Sequence, residues 1–367
     1  MPRPAPPQAS PRRPRIGAGR PLLEADLATQ VYDSRGQRRN VALSELSFSI
    51  SGDHPSFTAV VGESGSGKTT MARALLGMQE PTSGEIRFNG KNVYKLKGAD
   101  QLEFRREVQA IFQDPFEVYN PFYKVDHLLT VPIRKFRLAR SRADAGNLIE
   151  SALRDVGLEP KDTLGRYPHQ LSGGQRQRLT VARGLLIRPR LIIADEPVSM
   201  VDASLRKTIL GTLEQLNDEF GISFVYITHD LATAYQVSEN IIVLYKGLVV
   251  EAGEVGRVIK QPEHPYTQLL VSSVPEPDPT RPWSGEMPEG NKKVSTAAAT
   301  GTGCAFADRC PHVMPICVKE RPPLYRTHDE QAAACFLYQE TPRVVTGDVS
   351  QTFQPFQGKE QPSAKEE

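Results

Sequence analysis

The sequence predicts an α/β fold: a largely parallel sheet that carries a phosphate-gripping loop, a helical subdomain inserted in it, and a small C-terminal Cys-rich extension. Three observations lead there. The apolar run at 57–61 reads as a buried strand, runs into a glycine-rich loop, and is followed by a helical stretch at 68–76 that ends at Gly77. Three further apolar runs, at 191–194, 224–228 and 241–244, lack the alternation of half-exposed strands, as parallel strands covered on both faces do. Between about 120 and 190 the pattern becomes helical without obvious strands, as at 147–156 and 173–186.

Taken in order along the chain, residues 1–22 are rich in proline and arginine (Arg3, Arg12, Arg13, Arg15, Arg20) and read as an unstructured arm. They contain no apolar stretch of the kind a secretory signal needs. The folded body spans 23–262, with the helical subdomain at about 120–190. Prolines 275, 277, 279 and 282 mark a linker within an extension at 263–340 that bears all the cysteines. The polar remainder, 341–367, reads as a frayed tail.

The 367 residues are 39% hydrophobic and 24% charged, an ordinary globular mixture, and the formal net charge of +2 gives no whole-chain reason to expect nucleic acid as a partner. No window approaches the ~18 consecutive apolar residues of a spanning helix. The chain is therefore expected to stay in the cytosol, and any task at a membrane would need a partner that supplies the spanning helices.

Gly62-Glu63-Ser64-Gly65-Ser66-Gly67-Lys68-Thr69, followed by Thr70, fits G-x-x-x-x-G-K-[ST]. Glycines let several backbone N–H groups converge on one anion, and the helix that begins there adds the positive end of its dipole. Lys68 would reach the β- and γ-phosphates and the Thr69 hydroxyl would ligate Mg²⁺. With a strand before it and a helix after it, the loop is a nucleotide site. The run at 191–194 ends in Asp195-Glu196. A strand tip beside the phosphate loop suits Asp195 as a Mg²⁺ ligand, and Glu196 can orient and deprotonate an attacking water. The plainer alternative is that Asp-Glu-Pro caps a turn.

With Leu171-Ser172-Gly173-Gly174-Gln175 added, the chain resembles the ATP-binding subunits of ABC transporters. Gln113 (in Phe112-Gln113-Asp114-Pro115), His229 (in Ile227-Thr228-His229-Asp230) and Asp202 (in Ser199-Met200-Val201-Asp202) match that family's Q-loop, switch histidine and D-loop, and the resemblance covers roughly 23–260. It implies a P-loop NTPase core and a head-to-tail pair of ATPase subunits. In that pair Ser172, Gly173, Gly174 and Gln175 of one subunit face the γ-phosphate held by the other, with Asp202 at the dimer seam. Ser172 reads independently as the N-cap of the helix at 173–186. By resemblance Gln113 senses the γ-phosphate through Mg²⁺ and water, and His229 holds the γ-phosphate and shares charge with Glu196. Tyr32 is the candidate for the aromatic residue that stacks on adenine; a core or surface tyrosine is the alternative. Met200 and Val201 depart from the family's usual Ala-Leu.

All four cysteines, Cys304, Cys310, Cys317 and Cys335, fall in one stretch with separations of 6, 7 and 18. In a cytosolic protein such clustering favours a metal site over disulfides, but the C-x-x-C pairs of zinc ribbons are lacking. Gly303-Cys304-Ala305-Phe306-Ala307-Asp308-Arg309-Cys310-Pro311 and His264-Pro265-Tyr266-Thr267-Gln268-Leu269-Leu270 resemble the tail of the oligopeptide/dipeptide importer branch. Some members of that branch hold a [4Fe–4S] cluster on four thiolates. Iron–sulfur, zinc and unligated buried cysteines all remain open from the spacing.

The resemblance also implies partners: a second ATPase subunit, identical or different, two transmembrane permease subunits and an extracytoplasmic solute-binding protein, with the chain peripheral on the cytoplasmic face of the membrane. A groove near Phe116 and Tyr119 would receive the permease. Importers of nickel and of short oligosaccharides belong to the same branch. Two other classes compete. A soluble ABC ATPase of DNA repair or translation would need a long coiled-coil arm, and Gln113 and Ser172 are only 59 residues apart. An inactive regulatory subunit would not need both Glu196 and His229.

Overall fold

The computed structural model describes residues 20–32, 40–113, 119–199, 201, 203–274, 302–344 and 347–353. Two sheets organise them. The smaller holds β2 (Asn40–Ser51), β1 (Pro21–Tyr32), β4 (Ser83–Phe88) and β5 (Lys91–Asn92), in that order and antiparallel. The larger has eight strands. Its parallel body is β9 (Asn240–Tyr245), β3 (Phe57–Val61), β8 (Ser223–Ile227), β7 (Leu191–Asp195) and β6 (Val108–Ile111).

The non-alternating runs fold as strands because both faces are covered. All five residues of β3, β7 and β8 are buried. Phe57, Ala59 and Val61 pack in one core cluster, while Val60 points into the other, beneath the antiparallel sheet. Phe57 stacks on Phe224 at 4.7 Å. The first core cluster runs on into the helical region, α3 (Asp126–Phe136), α4 (Arg142–Asp155), α5 (Pro160–Thr163) and α6 (Gly173–Ile187).

The structure differs from expectation at three junctions. β1 already begins at Pro21, and Leu22 and Leu23 are buried, so of the last two residues assigned to the arm Pro21 belongs to the sheet and Leu22 to the core. The extension is continuous with the main sheet rather than a separate unit. β10 (Leu248–Glu254) turns antiparallel on β9 and pairs with β12 (Gln331–Ala333), which pairs in turn with β11 (Tyr325–His328). Within the supposed tail, 347–353 docks on β2, where Ser49 Oγ donates to Asp348 at 3.0 Å and lies 2.7 Å from Ser350 Oγ. The arm at 1–19 and prolines 275, 277, 279 and 282 lie outside the described residues.

Glu251 on β10 closes the seam between body and extension. Fully buried, its carboxylate accepts N–H bonds from Glu263 and His264, both at 2.9 Å, and from Gln331 Nε2 at 2.7 Å. Burial nonetheless pushes this carboxyl up to about 7. Glu251→Ala should leave these donors unpaired and cost about 2–3 kcal/mol, seen as a lower thermal midpoint; an unchanged midpoint would remove the seam's structural role.

Candidate ATP site

The glycine loop lies between the tip of β3 and α1 (Lys68–Leu75). Two glycines are demanded by close approach. Gly62, at φ 151°, would set a Cβ 2.2 Å from the carbonyl oxygen of Leu244, and Gly67, at φ 106°, would set one 2.2 Å from that of Ala42. Both backbones press on the loop from outside. Ser66 N donates to Glu63 O at 3.1 Å, and Lys68 Nζ folds onto the carbonyls of Gly62 (2.8 Å) and Glu63 (3.0 Å). Ser66 Oγ is buried with no protein partner. A cradle lined by glycines at 62, 65 and 67, an unpaired buried hydroxyl and a buried ammonium fit a triphosphate.

The acids meet this loop as expected. Asp195 ends β7, and its side chain bonds to Thr69; burial raises its pKa, with Thr69 pulling the other way. Burial lowers Lys68, while Glu196 and Asp195 oppose that shift. These four groups occupy one site, the donor set a Mg–nucleotide requires.

Glu196 is held from three sides. Its backbone sits at φ 47°, a conformation costly for a residue with a Cβ, and its N–H donates to Ile227 O at 2.9 Å. Gln113 Nε2 donates to Oε2 at 2.9 Å, and His229 Nδ1 lies 2.9 Å from Oε1. Gln113 and His229 thus converge on this carboxylate from the ends of β6 and β8. Glu196 is 15% exposed and His229 63%, so the acid is sheltered while the imidazole faces solvent.

Ser172 caps α6 as expected. Its hydroxyl accepts from Gln175 N at 3.2 Å, and Gln175 Oε1 accepts from Ser172 N at 2.9 Å, a reciprocal capping box. Gly173 and Gly174 form the first turn. Tyr32 ends β1 opposite Asn40, near the Ala42 that abuts Gly67, and its hydroxyl donates to Gln79 at 2.9 Å. Val201 is buried; Met200, Asp202 and Phe116 lie outside the described residues. Tyr119 Oη donates to Arg176 O at 2.8 Å. A groove of about 400 Å³ lies between α3, β6, the end of α1 and α2 (Gly98–Glu107), with Phe104, Val131 and Phe136 among its walls.

Sequence reasoning did not foresee two further contacts. Tyr266 Oη accepts the Glu63 N–H at 2.8 Å, and Arg309 grips the Glu63 carboxylate through both terminal nitrogens, each at 3.1 Å. Both residues lie in segments marked only by resemblance, and nothing in their spacing says what they touch.

The four cysteines do share one place: they line a single enclosed apolar cavity of about 10 Å³ with Phe306 and His264. That is room for about one water. Cys304 N donates to Cys317 O at 2.7 Å. Burial pushes the Cys304 thiol up to about 11 and Cys335 up to about 12. Among the described residues no group of three or more His, Cys, Asp or Glu is arranged to hold a metal ion. The thiols converge without forming ligand geometry.

A sheet with this loop, acid pair and helix cap defines a nucleotide-binding cassette. The chain belongs to the ABC transporter family, whose model matches residues 43–199, and is an ATPase. Residues 250–317 match the oligopeptide/dipeptide transporter C-terminal region. The chain is 36% identical over 318 residues to the putative oligopeptide transport ATP-binding protein YkfD of Bacillus subtilis, covering 87% of this chain and 96% of YkfD. It is 39% identical over 265 residues to the oligopeptide transport ATP-binding protein OppF of Salmonella typhimurium, covering 72% and 79%. Among solved structures, the dimeric ATP-binding cassette MJ0796 bound to ADP and Pi superposes with a TM-score of 0.58 at 29% identity, over 64% of this chain and 99% of the other. No helix among the described residues is long and apolar enough to cross a membrane.

Lys68→Ala should weaken Mg-ATP binding about 10- to 100-fold, as loss of a charge-assisted bond to phosphate requires. Unchanged affinity by calorimetry would remove the loop from the nucleotide site.

Proposed function

We propose that this ATPase energises an importer of oligopeptides or dipeptides. The observation that carries the reading is the segment matching the oligopeptide/dipeptide C-terminal region, whose first strand, β10, belongs to the main sheet. The partners are a second ATPase subunit, two permease subunits and an extracytoplasmic solute-binding protein; nucleic acid has no part. The chain sits on the cytoplasmic face of the membrane, held there by the permeases. The groove beside α3, with apolar walls at Phe104, Val131 and Phe136 and basic groups at Arg105, Lys135 and Arg183, is a seat for a permease segment.

In this reading Gly62 to Gly67 hold the phosphates through backbone N–H groups, and Lys68 leaves the Gly62 and Glu63 carbonyls for the β- and γ-phosphates. Thr69, Asp195 and Gln113 would hold Mg²⁺, which when bound would supply charge neutralisation at the phosphate oxygens, and Thr70 would contact the nucleotide. Glu196 takes a proton from the water whose oxygen bonds to the γ-phosphorus; the β–γ bridging bond breaks, leaving ADP and inorganic phosphate. His229 and Gln113, already on Glu196, aim that carboxylate and reach the γ-phosphate side. Tyr32 faces adenine. Ser172, Gly173, Gly174 and Gln175 close the site of the opposing subunit, and Asp202 lies at the seam. The dimer of the related cassette MJ0796 supports that arrangement.

The four cysteines are the donor set of a [4Fe–4S] cluster, with Zn²⁺ the alternative. Their shared cavity supports the reading; its size and the lack of ligand geometry mean the thiols must part to admit either group.

In the complex reconstituted with permeases, peptide-loaded binding protein should raise ATP turnover, and Glu196→Gln should lower it about 10²- to 10⁴-fold with ATP still bound. Stimulation by oligosaccharide or nickel but not peptide would overturn the cargo assignment. Anaerobically purified protein should contain iron and sulfide and absorb visible light; zinc alone favours the alternative, and neither metal sinks both.

A further inference from the structure

Glu63 is the loop residue that the C-terminal extension holds at two places. Arg309 forms a two-pronged pair with its carboxylate, and Tyr266 Oη accepts its N–H. A third tie runs beside these. Lys246 Nζ donates to Ala305 O at 3.3 Å and lies 3.5 Å from Asp308 Oδ2, and the next residue, Gly247, donates its N–H to Ser66 O at 2.9 Å.

The braces stand on a rigid base. Tyr245, Tyr266 and Phe306 pack ring against ring with centroids 4.5–5.6 Å apart, and the Arg309 guanidinium lies over Phe306 at 5.5 Å and Tyr245 at 5.9 Å. Phe306, flanked in sequence by Cys304 and Cys310, also walls the cysteine cavity. The guanidinium is therefore pre-oriented by stacking before it meets Glu63, so little side-chain freedom is lost in making the pair.

We propose that Arg309 is a positioning residue for the phosphate loop: from outside the nucleotide-binding body it fixes Glu63 and neutralises a carboxylate that would otherwise stand unpaired beside the triphosphate. Two consequences follow. Nucleotide affinity in this chain depends on a docked extension, not on the loop alone. The dependence is electrostatic as well as steric, because an unpaired Glu63 repels the phosphates across a short distance that solvent only partly screens.

The inference rests on the loop binding ATP, so wild-type affinity for Mg-ATP is the reference. If the wild type binds none, the ATP reading fails and not the brace alone. On the full chain, Arg309→Ala should weaken Mg-ATP binding about 3- to 10-fold, with kcat at saturation changed less than about twofold and Arg309→Lys intermediate. Adding Glu63→Gln to Arg309→Ala should recover part of the lost affinity, because the repulsive charge is gone. Should Arg309→Ala not fold, Glu63→Gln alone probes the contact from the loop side and should change affinity while leaving the thermal midpoint within a few degrees. Wild-type affinity in both single variants, or losses that simply add in the double variant, would overturn the proposal.

Discussion

The structure turns on a loop that cannot carry side chains at two points. Leu244 O approaches Gly62 and Ala42 O approaches Gly67 so closely that any Cβ would collide. These contacts bring the main sheet and the antiparallel sheet against opposite shoulders of one loop. A nest held from both sides keeps its shape before any anion arrives, and preorganised donors bind charge without the cost of reorienting.

The same economy of movement shapes the acid. Glu196 follows β7 in a left-handed conformation, with its N–H tied to Ile227 O on β8. That strained residue lifts the carboxylate out of the strand's line and presents it to Gln113 and His229 together. Strain of this kind persists only where the surroundings over-determine it, and two flanking parallel strands do so here. The carboxylate is sheltered while its two partners stay exposed.

The C-terminal extension is bound to the cassette by three kinds of contact. Backbone pairing of β12 to β10 sets its register, Glu251 satisfies the buried N–H groups at the turn, and the Tyr245–Tyr266–Phe306 stack ties it to the loop. A segment of this size would bury too little apolar surface to stand alone. Continuation of the sheet solves that problem and at the same time sets Arg309 beside Glu63.

Much of this was legible in the residues. The strands at 57–61, 191–195, 223–227 and 240–245 announce themselves because burial on both faces leaves unbroken apolar runs, and the phosphate loop because its chemistry is local: spacing alone sets which N–H groups converge. The Ser172 cap is equally local. What the residues could not state was every pairing between distant segments. Pro21 and Leu22 look like the end of a proline-rich arm until they join the sheet as the start of β1; 347–353 looks like tail until Ser49 receives it; Arg309 looks like one more surface cation 246 positions from its carboxylate. The cysteine spacing shows clustering, but only packing shows that the four thiols face one cavity. Local geometry is written in short-range sequence, whereas these contacts depend on which sheet edge the chain returns to, and that is decided by the competition of many weak burials across the whole fold.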